Sequence, residues 1–214
     1  MMSTDALIRT LSADLAPVKR RSVPREAAVL AAIGAAEAGL LLSAGAMRPD
    51  MGQVILTPFM LWKIGSLALL AGVACIVAVR SLAPPFLPRR GVMVVLALAA
   101  FAIVAGMFVA SSGHGGRSLF DRLSPIHGML CATAISVLSL PIMAALAVLM
   151  RRGAPVRPKQ SALACGLAAA TSGALIFTIC CPMNDPLYIV VWYSLGVAAV
   201  ALAARWLLPK RFRL

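Results

Sequence analysis

The stretch GVMVVLALAAFAIVAGMFVAS, residues 91–111, holds no charged side chain and follows directly on Arg89 and Arg90. A helix needs about 20 apolar residues to cross the hydrocarbon of a bilayer, and this run supplies them. Inside lipid every backbone amide must be bonded within its own segment, so such a run takes the form of a helix. Five further windows share its character: residues 27–47, 59–79, 128–150, 161–180 and 187–208. The expected fold class is therefore all-α: a polytopic membrane protein with six transmembrane helices.

Composition agrees. The chain has 214 residues, of which 61% are apolar and 13% charged, with a mean hydropathy of +0.94. These values exclude an ordinary soluble domain. The net charge of +13, from 20 Lys and Arg against 7 Asp and Glu, would suggest nucleic-acid binding in a soluble chain. Position decides against that. Only Glu37, Lys63 and Arg205 fall inside the six windows, so the charge belongs almost wholly to the ends and connections.

The connections alternate in charge. Arg9, Lys19, Arg20, Arg21 and Arg25 precede the first span, Arg80, Arg89 and Arg90 follow the second, and Arg151, Arg152, Arg157 and Lys159 follow the fourth. Arg205, Lys210, Arg211 and Arg213 close the chain, whereas the opposite side holds Arg48, Lys63, Arg117 and Arg122. The positive-inside bias of short loops then predicts both termini in the cytoplasm, with anionic lipid head groups and no direct nucleic acid as the partner of the basic side. Residues 1–26 form a cytoplasmic tail, 27–208 the six-helix transmembrane domain, and 209–214 a basic cytoplasmic C-terminus. Ala44, Gly45 and Ala46 resemble a small-residue signal cleavage site, but the polar leader is long and the apolar run is long enough to span. Arg20 and Arg21 do not form a twin-arginine signal, because Pro24, Arg25 and Glu26 stand where the apolar run would begin.

No connection is long enough for a folded domain; the longest runs over residues 112–127. The tail carries helix punctuation instead, with Ser3 or Thr4 as cap, Asp5 in the first turn and Pro17 near the stop. Leu7, Leu11 and Leu15 recur every four residues with Ile8 beside them, giving one apolar face. A helix this short is marginal in water, so that face needs a partner. Either the membrane surface or a soluble protein with a groove could supply it.

Among polar residues, Glu37 sits about halfway along the first span with no second mid-span charge from which to build a relay, so it marks either a pathway or a hydrogen bond between helices. Lys63, about a turn from its span end, is expected to snorkel or to pair with Asp50 or Glu37. Pro141 interrupts the fourth span, as a flexible point or a static kink. Of five cysteines, Cys75 and Cys165 sit among small apolar residues and read as packing. Cys131 lies about one turn inside its span, below His127, and Cys180 and Cys181 close the fifth span at the same level, on the side opposite the termini. Their shared depth allows a disulfide, a soft metal ion bridging two thiolates with His127, His114 or Asp185 completing its shell, or inert packing.

In order along the six spans, the chain carries Thr4-Asp5-Ala6-Leu7-Ile8 and Asp14-Leu15-Ala16-Pro17-Val18, Arg48-Pro49-Asp50-Met51, Arg151-Arg152-Gly153-Ala154-Pro155, and Cys181-Pro182 with Asp185-Pro186 and Trp192. With that series it resembles the six-span anti-sigma factors of the negative regulator of sigma F (NrsF) type. The resemblance implies a non-enzymatic inner-membrane protein of a Gram-negative bacterium. Its tail, through Leu7, Ile8, Leu11 and Leu15, would hold an extracytoplasmic-function sigma factor and release it under heavy-metal or oxidative stress. It also implies Cys131 and Cys181 as the sensing and metal-binding residues, with Cys180 as an extra thiol beside them. No resident cofactor is required, only a transient heavy-metal ion at those cysteines. The family often has a His before the Cys-Pro pair and another after the late Trp; Cys180 and Tyr193 stand there in this chain.

Two other classes fit the outline less well. A small transporter would need paired midplane polar sites, an inverted repeat or broken helices. A membrane thiol oxidoreductase would need a C-x-x-C pair and an electron carrier, and the sequence has no such motif.

Overall fold

A computed structural model of the chain describes residues 22–83, 87–109, 122–153 and 155–210, with the isolated positions 4, 8, 12 and 13. Leu7, Leu11 and Leu15 lie outside the described residues, while Ile8 is helical and exposed.

Six helices are long and apolar enough to cross a membrane, and no strand occurs among the described residues. They are α1 (Val23–Ser43), α3 (Pro58–Ser81), α4 (Pro88–Val109), the pair α5 (Pro125–Leu138) and α6 (Leu140–Arg152) forming one span, α7 (Pro158–Phe177) and α8 (Pro186–Lys210); α2 (Met51–Val54) is a single turn between the first two. Each span opens with a proline in its first two residues. There proline's fixed φ suits the helix and its missing N–H would have had no partner anyway. The helices accordingly begin one to four residues before the apolar windows do.

The first span also stops earlier than its window, at Ser43. Gly45 adopts φ 70°, its N–H bonds to Leu42 O, and Ala46 N–H bonds back to Leu41 O. That is a Schellman cap, which needs glycine at the left-handed position. The Ala44-Gly45-Ala46 triplet is thus a helix stop.

The middle of the molecule is α7, which packs against α8, α3, α5 and α6. The spanning window of α7 is 78% buried against 6% for α1. Small residues make this possible, because in lipid helices associate by close backbone approach. A Cβ on Gly166 would stand 2.7 Å from Ala204 Cβ and 2.8 Å from Ala201 Cα on α8, and one on Gly173 would stand 2.9 Å from Ile135 O on α5. The Ser161 hydroxyl donates to Ser81 O at 2.9 Å, tying the start of α7 to the end of α3. Cys165 is fully buried in the alanine-rich core, and Cys75 lies 3.8 Å from Ser172 Oγ.

Span four breaks at Ser139. Pro141 has no N–H to offer Val137 O, and the ladder resumes through Met143 N–H to Ser139 O. Gly173 faces this break, with its missing side chain leaving room for Ser139 Oγ. Between α3, α4, α7 and α8 runs an apolar groove of about 450 Å³, bounded by Lys63 and Tyr193 at one end and Arg205 at the other.

Candidate functional site

The turn from α7 to α8, residues 178–185, carries Cys180, Cys181, Pro182, Asn184 and Asp185. Three basic side chains from three other parts of the chain hold it. Arg48, just after the α1 stop, is 3% exposed and donates through Nη1 to Cys181 O at 3.2 Å and Asn184 Oδ1 at 2.9 Å. Its Nε and Nη2 grip both oxygens of Asp50 at 2.6 Å. That bidentate bond holds the Asp50 carboxyl below the usual carboxylate range. The Arg48 backbone N–H adds a bond to Ile179 O at 3.2 Å. Arg122, ahead of α5, makes a second bidentate pair with Asp185 at 2.8 and 3.0 Å. Asp185 Oδ1 also accepts from Leu187 N–H and so caps α8.

Lys63 is the third. The expectation that it snorkels, or pairs with Asp50 or Glu37, is corrected by the structure: Lys63 is 1% exposed and donates to Met183 O at 3.4 Å. Its ammonium lies 5.4 Å from the centre of the Tyr193 ring, an arrangement that partly offsets the loss of water. Asp50 is already taken by Arg48. Glu37 stays on α1 with Oε2 buried and without a hydrogen-bond partner, so neither a relay nor an interhelical hydrogen bond forms at that oxygen.

Cys131 and Cys181 meet inside this frame. They share one buried cluster with Ile135, Ala174, Tyr188, Ile189 and Tyr193. Cys181 has no exposed surface and Cys131 is 6% exposed. Cys131 Sγ lies 3.1 Å from Tyr188 Oη. The Cys181 thiol is held below the ordinary thiol range, first by a hydrogen bond from Cys131 and then by the Lys63 ammonium, against the opposing effect of burial. Cys180 is half-buried, and burial together with the neighbouring Cys181 pushes its thiol up. The five cysteines form no disulfide.

The wall behind the pair is aromatic. Tyr188 and Trp192 lie 6.5 Å apart, Phe177 and Tyr193 6.0 Å. Trp192 Nε1 donates to Leu123 O at 2.7 Å, and its indole occupies the space that a side chain on Gly128 would need. Gly128 therefore lets α8 approach α5 closely enough for Tyr188 to reach Cys131.

Of the wider donor set that a metal ion would use, the described members do not gather. His127 is exposed, Asp185 is engaged by Arg122, and His114 lies outside the described residues. Among the described residues no three His, Cys, Asp or Glu side chains come together. Two adjacent sulfurs in an apolar pocket are what remains, a pair suited to a soft ion that accepts two thiolates or to two-electron oxidation.

Sequence reasoning missed Arg48, Lys63, Arg122, Tyr188 and Tyr193. A signal existed for the first three. They are basic residues on the side where positive charge is scarce, and each is spent on holding the cysteine turn.

A family model described as "Negative regulator of sigma F" (NrsF) matches residues 11–214. "Anti-sigma-F factor NrsF" of Caulobacter vibrioides (strain NA1000 / CB15N) is 35% identical, covering 97% of this chain and 99% of its own length. "Probable anti-sigma-F factor NrsF" of Azospira oryzae (strain ATCC BAA-33 / DSM 13638 / PS) is 31% identical, covering 92% of each. No solved structure matches the chain.

Proposed function

The chain belongs to the NrsF family of negative regulators of sigma F, and from that premise we propose that it is a membrane-bound, non-enzymatic anti-sigma factor of the bacterial inner membrane. Its N-terminal segment, through Leu7, Ile8, Leu11 and Leu15, holds an extracytoplasmic-function sigma factor on the cytoplasmic side. Cys131 and Cys181, on the opposite side, respond to a heavy-metal ion or an oxidant and cause release. The relatives' printed names, each an anti-sigma-F factor or a probable one, support the regulatory part.

The observation that carries the sensing part is the convergence of Cys131 and Cys181 in one buried cluster, on elements far apart in sequence. A soft ion binding both sulfurs would draw the 178–185 turn and α5 together. Oxidation would do the same. The two thiols lose two protons and two electrons to a hydroperoxide, which leaves as alcohol and water. Arg48 then links the event to α1, because it bonds the Cys181 carbonyl while following the α1 stop by a few residues. The tail that precedes α1 would receive the displacement.

Two variants test the halves. Deleting residues 2–17 should free the sigma factor and turn its target promoters on without stress, as read by a transcriptional reporter; continued repression would refute binding by the tail. Replacing Cys131 and Cys181 with Ser should leave repression intact and abolish induction by cadmium or peroxide. Unchanged induction would remove the sensing role.

A further inference from the structure

α4 packs against α3 and barely meets α8, so the apolar groove of about 450 Å³ stays open between them with α7 as its floor. Its rims are Leu96 on α4 and Leu202 on α8, each more than half exposed, while Leu70, Val92, Val95 and Leu167 at its base are buried. Hydroxyls in the wall are turned onto their own helices: Ser66 Oγ donates to Lys63 O and Thr171 Oγ1 to Leu167 O. Along α8 the lining runs from Ile189 to Arg205, about 24 Å of helix. Half the hydrocarbon core is about 15 Å, so the groove has room for the full length of one lipid acyl chain. Its two ends differ. Lys63 closes the end beside the cysteine turn, 1% exposed and bonded to Met183 O, with the Tyr193 ring against it. At the far end Arg205 is exposed, and among the described residues no carboxylate pairs with it. Arg89, also exposed, lies one turn from Val92 on the same face of α4, at the same end of the bundle. The one described carboxylate at this end, Glu26, is on α1, which does not line the groove.

We propose that the groove is a binding site for one phospholipid of the leaflet at that far end, with a single acyl chain laid along α8 and an anionic head group held by Arg205 and Arg89. Charge complementarity selects this occupant. A guanidinium at the edge of the hydrocarbon can bond a phosphate through two N–H groups, and basic pockets between spans recognise anionic lipid heads in this way. A second copy of this chain would instead bring its own Arg205 and Arg89 to the same level, cation against cation. Depth agrees with the charge. Measured from Arg205, about 15 Å of α8 reaches Leu195, so the tip of the chain stops just short of Tyr193 and leaves the cysteine turn untouched. The lipid would thus join α4 to α8, which the protein's own contacts barely do.

Native mass spectrometry of the full-length protein, delipidated in detergent and titrated with phosphatidylglycerol or with phosphatidylcholine, tests the site. Wild type should retain one phosphatidylglycerol at least about tenfold more tightly than phosphatidylcholine. Arg89→Gln combined with Arg205→Gln should remove that preference. Ala198→Trp, which sets a bulky side chain on an exposed position of the groove, should weaken retention of both lipids. Equal retention of the two lipids by wild type would mean annular lipid only and overturn the proposal, as would unchanged retention in either variant. A stable dimer that Ala198→Trp abolishes would overturn it in favour of a second copy. Should a variant fail to fold by circular dichroism, the wild type decides alone: it is photolysed in nanodiscs with a phosphatidylglycerol bearing a diazirine on its acyl chain. Label concentrated on the groove-lining stretches of α4 and α8 supports the site, and label spread evenly over all six spans overturns it.

Discussion

Truncating Arg48 would strand the Cys181 carbonyl and the Asn184 side chain and release the Asp50 carboxylate, all at one stroke. The cost of leaving buried acceptors unmade is about 1–3 kcal/mol. Arg48→Ala is therefore expected to lower thermal stability in detergent by that order. It should also uncouple the output, so that the folded protein still binds cadmium in a manner that needs Cys131 and Cys181 while sigma release is lost. Arg48→Lys should recover little, since an ammonium cannot grip Asp50 bidentately and reach Cys181 O together. Full release in Arg48→Ala would show that the turn signals by another route. In sequence Arg48 reads as part of a loop beside Pro49 and Asp50, which is where it is. Its burial was not legible, because it depends on the Gly45 cap turning the chain back toward a segment more than a hundred residues away.

Helix starts, by contrast, were fully written in the chain. Pro24, Pro58, Pro88, Pro125, Pro158 and Pro186 mark them more closely than the edges of the apolar runs do. What composition hid was rank within the bundle. α7 is the least hydropathic of the six spans and the most buried, because lipid-facing positions demand large apolar side chains while a central helix demands small ones. At the other extreme α1 buries Leu30 alone and meets the bundle loosely, with room on Gly34 for a Cβ that would stand 3.7 Å from Ile142 Cδ1 of α6, just past the Ser139 break. A span so lightly held is the one a local event can move. Amide hydrogen exchange on the protein in nanodiscs should find α1 at least about tenfold less protected than α7, and cadmium should change the exchange of α1 more than that of α7. Equal protection in the two helices would count against α1 as the moving part.

At the scale of the whole molecule, the two ends of the bundle differ in kind. One end gathers Arg48, Lys63 and Arg122 around the cysteine turn, two of them paired with aspartates and the third sealed from solvent. The other gathers Arg80, Arg89, Arg90, Arg151, Arg152, Arg157 and Lys159 at the ends of α3, α4, α6 and α7. Three of the four basic residues that count against the orientation, Arg48, Lys63 and Arg122, are thus spent within the fold, which makes the asymmetry between the ends steeper than a tally of Lys and Arg suggests. Orientation follows the Lys and Arg of short loops, so the heavily basic end is expected in the cytoplasm together with both termini. Alkaline phosphatase fused after residue 56 or residue 184 should then be active, and fusions after residue 83, residue 154 or the last residue inactive, with a cytoplasmic reporter giving the complementary pattern. The opposite pattern would put the cysteines and the tail on the wrong sides for the roles proposed for them. The expected pattern would place Cys131 and Cys181 on the oxidising face, where a reduced pair persists only because it is buried, and where metal or oxidant arrives before it reaches the cytoplasm.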